Sequence, residues 1–180
     1  IDISNESVKY VSLKHNGTFM VPDRIDKLPL PLGIVERGLI KNADELTGVL
    51  KKIQRETRLS FAHVSLPEEH AYLFETSLPK DNELSVEQAL EFHLKENVPL
   101  SPDEVIIDYI ELDSSNSAKL DLSVSVYPIR IVQQYLEVFL AAGFEPLSFE
   151  VEAQAIARAL VSKEQRKETI MFVDLGASDA

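Results

Sequence analysis

An Asn-Gly pair at residues 16 and 17 lies between two β-rich runs, SVKYVSL (7–13) and Thr18 to Val21. The dipeptide accepts the positive φ angles of a tight type I′ turn, so the flanking runs are expected to pair as an antiparallel hairpin. A shorter apolar run ending in Asp2 precedes them, separated by the polar residues Ser4, Asn5 and Glu6. The segment from Pro22 to Lys41 contains LPLPLG, and its prolines and glycines predict a long ordered loop. Leu28, Leu30, Leu32 and Ile34 in it are expected to cover the core, with the lining of a groove as the alternative. Asn42 with Glu45 three residues on resembles a capping box, and Leu46, Val49, Leu50 and Ile53 follow helical spacing. This predicts a helix over about 43–57, then a strand from Phe61 to Leu66 closed by Pro67.

The middle third changes character. A strand from Tyr72 to Leu78 leads to a helix over Ser85 to Asn97, whose apolar side is Val86, Ala89, Leu90 and Leu94. Strands follow at Val105 to Leu112 and Leu120 to Tyr127. Strand, helix and two hairpin-linked strands describe a small α+β unit, placed as an insertion. Beyond it the pattern gives a helix from Ile129 to Ala142 ended by Gly143, a strand from Leu147 to Val151, a helix from Ala153 to Val161 and an apolar strand from Thr169 to Leu175. Both chain ends fall in strand-like runs, as expected of a fragment of a longer protein.

Composition removes several function classes. With 180 residues the chain is long enough for a real core, and with no cysteine it has neither disulfides nor a cysteine metal site. A net charge of −12 opposes a phosphate backbone over most of the surface, so no nucleic acid partner is expected. No run approaches the roughly 20 apolar residues of a membrane span. His15, His63, His70 and His93 show no metal-ligand spacing.

Two stretches carry possible chemistry. Asp2, Ser4, Asn5, Ser7 and Lys9 supply hydroxyls, an amide, a cation and a carboxylate around a tight turn, the groups a phosphate and a metal-bound water need. FVDLGAS (172–178) delivers Asp174 from an apolar strand and then Gly176, where backbone approaches an anion closely. Each alone is as well read as an ordinary turn. Together, on either side of an α/β unit, they resemble the two phosphate hairpins of the actin, heat-shock chaperone and sugar kinase ATPase superfamily. Glu152 falls where that superfamily places the residue orienting the attacking water. A first-turn carboxylate favoured by the helix dipole accounts for it equally well.

The resemblance then narrows. LPLPLGIVERGLIKNADEL, FAHVSLPEEHAYLFETSLP, ALEFHLKENVPLSPDEVIIDYIEL, VSVYPIRIVQQYLEVFLAAGFEPLSFEVEAQAIARAL and FVDLGAS, in order, resemble PilM, the actin-like type IV pilus assembly family, itself similar to FtsA. The resemblance implies an α/β fold with an α+β insert: an actin-like (ribonuclease H-like) subdomain 1A at 1–66 and 128–168, an FtsA-like subdomain 1C at 67–127, and the first strand of a second lobe at 169–180, together part of a two-lobed ATPase fold. It implies ATP held by Asp2, Ser4, Asn5, Ser7, Lys9, Asp174, Gly176, Ala177 and Ser178, Mg held through water by Asp2 and Asp174, and Glu152 as the catalytic residue. ATP, Mg and at most a weak ATPase activity belong to the full-length protein, and none is expected of the 180 residues alone. The implied role is a cytoplasmic adaptor of the pilus inner-membrane platform, peripheral to the membrane. Its partner is the PilN N-terminal peptide, in a groove between subdomains 1A and 1C, beside other platform proteins and self-association. A sugar-kinase-type phosphotransferase and an FtsA-like tethered filament protein are the alternatives.

One departure stands out. Relatives tend to read DIGSSSVK where this chain reads DISNESVK, which brings the Glu6 carboxylate to the turn. Facing the phosphates, it would repel a charge about 4 Å away by roughly 1 kcal/mol in water and about 4 at an effective dielectric of 20. Strand alternation equally allows it to point to solvent.

Overall fold

The computed structural model describes residues 1–80, 84–113, 118–162, 165 and 169–173. The chain divides into two compact units, residues 1–68 with 136–180, and residues 69–135. The first begins with an antiparallel meander, β1 (Asp2–Ile3), β2 (Ser7–Asn16) and β3 (Phe19–Pro29). The expected hairpin is present, but its turn sits one residue later than expected. Asn16 pairs with Phe19, so Gly17 and Thr18 are the central residues. Only Gly17 has positive φ (+65°), the sign pattern of a type II′ turn and not of type I′.

The loop expected from Pro22 onward is instead the continuation of β3 to Pro29. Proline reads as a breaker because it cannot donate to a ladder, but β3 is an edge strand, where one side needs no donor. Pro22 also adjoins a bulge: Ser12 pairs with Arg24 and Leu13 with Pro22, leaving Asp23 as the extra residue. After β3 come two short paired strands, β4 (Val35–Glu36) and β5 (Leu39–Ile40). Arg37 and Gly38 between them both have positive φ, 47° and 71°, so the type I′ pattern occurs here. Leu28, Leu30 and Ile34 are buried as expected, whereas Leu32 is exposed.

Helix α1 (Ala43–Thr57) forms where the spacing places it, with Leu46, Leu50 and Ile53 buried. The Asn42 side chain accepts from the Glu45 N–H at 3.2 Å and donates to its carboxylate at 2.7 Å. At the other end Arg58 adopts the left-handed conformation (φ 57°) and its N–H donates to Gln54 O. Strand β6 (Phe61–Leu66) follows.

The second unit holds β7 (Tyr72–Pro79), α2 (Val86–Asn97), β8 (Val105–Leu112) and β9 (Lys119–Pro128). Its antiparallel sheet has the order β7-β9-β8. Ala89, Leu90 and Leu94 of α2 share one core with Leu78, Val98, Val105, Leu122, Val124 and Val126. Alternation explains the strand contribution: every second residue of β9 points at the helix. A complete capping box starts α2, with the Gln88 N–H donating to Ser85 Oγ and the Ser85 N–H to Gln88 Oε1.

Helix α3 (Ile129–Ala141) begins in the second unit and ends in the first, and Gly143 (φ 88°) turns the chain into β10 (Glu145–Val151). Helix α4 (Glu152–Leu160) continues directly from it. Residues 169–173, expected to open a strand, carry no regular structure, and Met171 and Val173 are exposed. A strand exists only through a neighbour, and no described strand pairs with them.

β10 runs parallel to β6. Ile1 joins this pair to the meander: its N donates to His63 O at 2.7 Å, and the Ser65 N–H donates to Ile1 O at 2.9 Å. That slanted pattern belongs to a parallel ladder. The sheet of the first unit thus reads β3-β2-β1-β6-β10, with β1, β6 and β10 parallel.

The left-handed Arg58 supplies a prediction. Arg58→Gly removes the Cβ clash of that conformation, offset by the entropy glycine loses, and is expected to stabilise the chain by about 0.5–1 kcal/mol. A higher urea midpoint at unchanged slope is the check.

Candidate functional site

Because β1, β6 and β10 are parallel, their carboxyl ends meet at one edge of the sheet, the usual position for ligands in α/β folds. The tight turn between β1 and β2 lies at that edge. Asp2 pairs with Lys9 and Ile3 with Val8 across the hairpin. Alternation then puts Asp2, Ser4, Ser7 and Lys9 on one face, while Ile3 and Val8 point into the core and are buried.

The four residues are tied in two pairs. Lys9 Nζ donates to Asp2 Oδ2 at 3.2 Å, an exposed ion pair of the kind contributing about 0–1 kcal/mol, so an incoming ion meets little resistance in rearranging it. Ser4 closes the turn, its N–H donating to Ser7 O at 2.9 Å and its hydroxyl lying 3.2 Å from both Ser7 O and Ser7 Oγ. Ser7 is only 1% exposed, so its hydroxyl serves the turn. Neither Asn5 nor Glu6 has positive φ. Among the described residues the N–H groups of Asn5 and Glu6 donate to nothing, whereas the Glu6 carbonyl accepts from the Leu30 N–H at 2.7 Å.

The turn therefore fits an anion in part. Two unpartnered backbone donors and the Asn5 amide lie at its tip with Lys9 on the flank, the elements of a backbone phosphate cradle. Against them stands the exposed Glu6 carboxylate. Asn5 and Glu6 also line a cavity of about 540 Å³ together with Leu32, Gly33, Val35, Glu36, Arg37, Leu39 and Lys41. That lining sets two carboxylates, Glu6 and Glu36, against two cations, Arg37 and Lys41. Sequence reasoning missed both cations, because 22–41 read as loop. Gly38, a turn residue between the short β-branched and apolar runs Ile34-Val35 and Leu39-Ile40, was the available signal.

Glu152 is the first residue of α4, directly after β10. The register runs from Ile1 beside Val64 to Phe149 opposite Val64, which sets Glu152 level with Ser4 two strands away. At a strand spacing near 4.8 Å that is about 10 Å across the sheet edge. Asp2, Ser4, Asn5, Ser7, Lys9 and Glu152 thus gather at one edge. Asp174, Gly176, Ala177 and Ser178 lie outside the described residues, as does half of the carboxylate pair expected to hold Mg.

Residues 1–180 match the family of the type IV pilus assembly protein PilM. The chain belongs to this family. No curated protein matches it. Among solved structures, the chain is similar to a PilM-PilN type IV pilus biogenesis complex, with TM-score 0.78 and 21% identity over 88% of this chain and 48% of the other. It is also similar to the cytoplasmic domain of EpsL, an inner membrane component of the type II secretion system of Vibrio cholerae, with TM-score 0.54 and 13% identity over 83% and 54%. The chain spans about half the length of each. These likenesses carry the fold, and the actin-like PilM fold expected from the sequence is borne out by them.

The Ser4–Ser7 tie generates a prediction. Ser4→Ala strands the buried Ser7 hydroxyl and is expected to cost about 1–3 kcal/mol. Ser4→Ala with Ser7→Ala together should cost less than the sum of the two singles, which a urea-melt double-mutant cycle measures.

Proposed function

We propose that the chain is the adaptor half of a PilM-type protein in the type IV pilus platform, docking the N-terminal cytoplasmic peptide of a PilN-type partner. The observation that carries this reading is the family match over all 180 residues. The fold it shares with a PilM-PilN complex supports it. Among the described residues no helix is long and apolar enough to cross a membrane. The same adaptor role would put the chain at the cytoplasmic side of the inner membrane through its partner. Docking other platform proteins belongs to the same role.

ATP with Mg is the proposed ligand of the full-length protein. The turn N–H groups of Asn5 and Glu6, with Lys9, would hold a phosphate, and Asp2 would order a metal-bound water. Residues 174–178 are proposed to bind the same nucleotide, as the family resemblance implies. Bound ATP supplies a γ-phosphate, and Glu152, at the same sheet edge, is the residue proposed to orient water toward it. The protein is proposed to act chiefly as a nucleotide-loaded adaptor.

Calorimetric titration of the partner's tail peptide into the 180-residue chain is expected to give saturable binding in the micromolar range, about −7 to −9 kcal/mol. No binding with peptide at about 500 μM, where even a weak complex of this kind is populated, rejects the adaptor reading. Hydrogen exchange with peptide present then locates the docking surface.

A further inference from the structure

We propose that β3 is a homotypic docking edge: two copies of this chain pair antiparallel along it, centred on Ile25. Three observations lead there. First, β3 ends the sheet of the first unit, and Asp23, Arg24, Ile25, Asp26 and Lys27 in it are all exposed. Ile25 is 75% exposed and lies opposite Val11, itself 50% exposed, on the outer face.

Second, the backbone of this segment is turned outward at the right residues. The Leu30 N–H donates to Glu6 O, so Leu30 faces β2, and so by alternation do Leu28, Asp26 and Arg24. The Arg24 N–H accordingly donates to Ser12 Oγ on β2. Ile25 and Lys27 therefore present their N–H and C=O groups away from β2; the Lys27 N–H donates to Asp26 Oδ1 of its own chain at 2.8 Å, so the open donor at the centre is the Ile25 N–H. Pro29 would be the next outward donor and has none, while the bulge at Asp23 interrupts the other end. Prolines and bulges ordinarily blunt an edge. Here they bound a short segment and leave its centre open.

Third, the segment is charge-complementary to itself. Reading D-R-I-D-K against its own reverse sets Asp23 opposite Lys27 of the second copy, Arg24 opposite Asp26, and Ile25 opposite Ile25. The Arg24–Asp26 pairs fall at the non-hydrogen-bonded positions, where opposing side chains are closest. Outward residues must face outward residues, so a shift moves the centre to Arg24 or to Asp26. Either shift opposes two like charges at the closest position, so one register is selected. Lys14 already pairs with Asp23 at 2.5 Å within the chain, and Arg24 donates to Glu56 O at 2.5 Å, which holds both side chains near the edge. The arrangement is isologous and closes at two copies. Each copy carries −12, so association is expected near physiological ionic strength, where a Debye length of about 8 Å screens the overall repulsion but not pairs in contact.

Sedimentation velocity of the 180-residue chain at about 150 mM salt tests this. The wild type is expected to form dimers, with sedimentation coefficient rising with concentration. Lys27→Asp and Asp23→Lys each oppose like charges across the axis and are expected to weaken the dimer by about tenfold or more. Mixing these two variants is expected to recover association. In the heterodimer one copy presents carboxylates at both positions 23 and 27 and the other presents ammonium groups at both, so every facing pair is again of opposite sign. Circular dichroism confirms that each variant is folded. A wild type that stays monomeric to about 500 μM overturns the proposal, as does a mixture no tighter than its components or growth beyond the dimer. An extended tail of another protein seated on this edge would leave the wild type monomeric, and so falls among the overturning results.

Discussion

Two hydrogen bonds made by Ile1, to His63 and from Ser65, organise the first unit. Without them the antiparallel meander and the parallel β6-β10 pair would be separate small sheets, each marginal alone. With them, β1 becomes parallel to both and its turn is carried to the edge where β6 and β10 end. Glu152 reaches the same edge only because α4 starts directly at the end of β10. The whole candidate site follows from the direction in which one strand is added.

That bridge also explains what the sequence reveals and what it hides. Elements specified by neighbours were legible: α1 is where the spacing and the Asn42 cap place it, and α2 is where its apolar spacing places it, because a cap and a helical face are both satisfied within a few residues. Elements specified by distant partners were not. Pro22 and Pro29 read as loop, since nothing local says that β3 is an edge strand whose outward side needs no donor. Asn16-Gly17 correctly called for a hairpin, but the register of Asn16 with Phe19 moved the turn to Gly17 and Thr18. Asp2, Ser4, Asn5, Ser7 and Lys9 were named from their chemistry and Glu152 from the family resemblance; that Ser7 would be buried in the service of the turn, and Arg37 and Lys41 drawn beside Glu6, depended on packing across the intervening chain.

Glu6 shows how a local departure is shared with its surroundings. Its carboxylate lines a cavity with Glu36, Arg37 and Lys41, two charges of each sign, so the charge at the β1-β2 turn is set with residues 36–41 as well as by the turn itself. A similar compensation holds at β3, where a bulge and a proline that shield most of an edge leave a self-complementary segment between them.

The proposed role of the β1-β2 turn is that of phosphate contact in a nucleotide-loaded pilus adaptor. Hydrogen exchange of the full-length protein with and without Mg and ATP tests it most directly, because the Asn5 and Glu6 N–H groups have no partner within the described chain. Nucleotide is expected to slow exchange at those two amides. Saturating nucleotide that protects other segments while leaving Asn5 and Glu6 unchanged would contradict it.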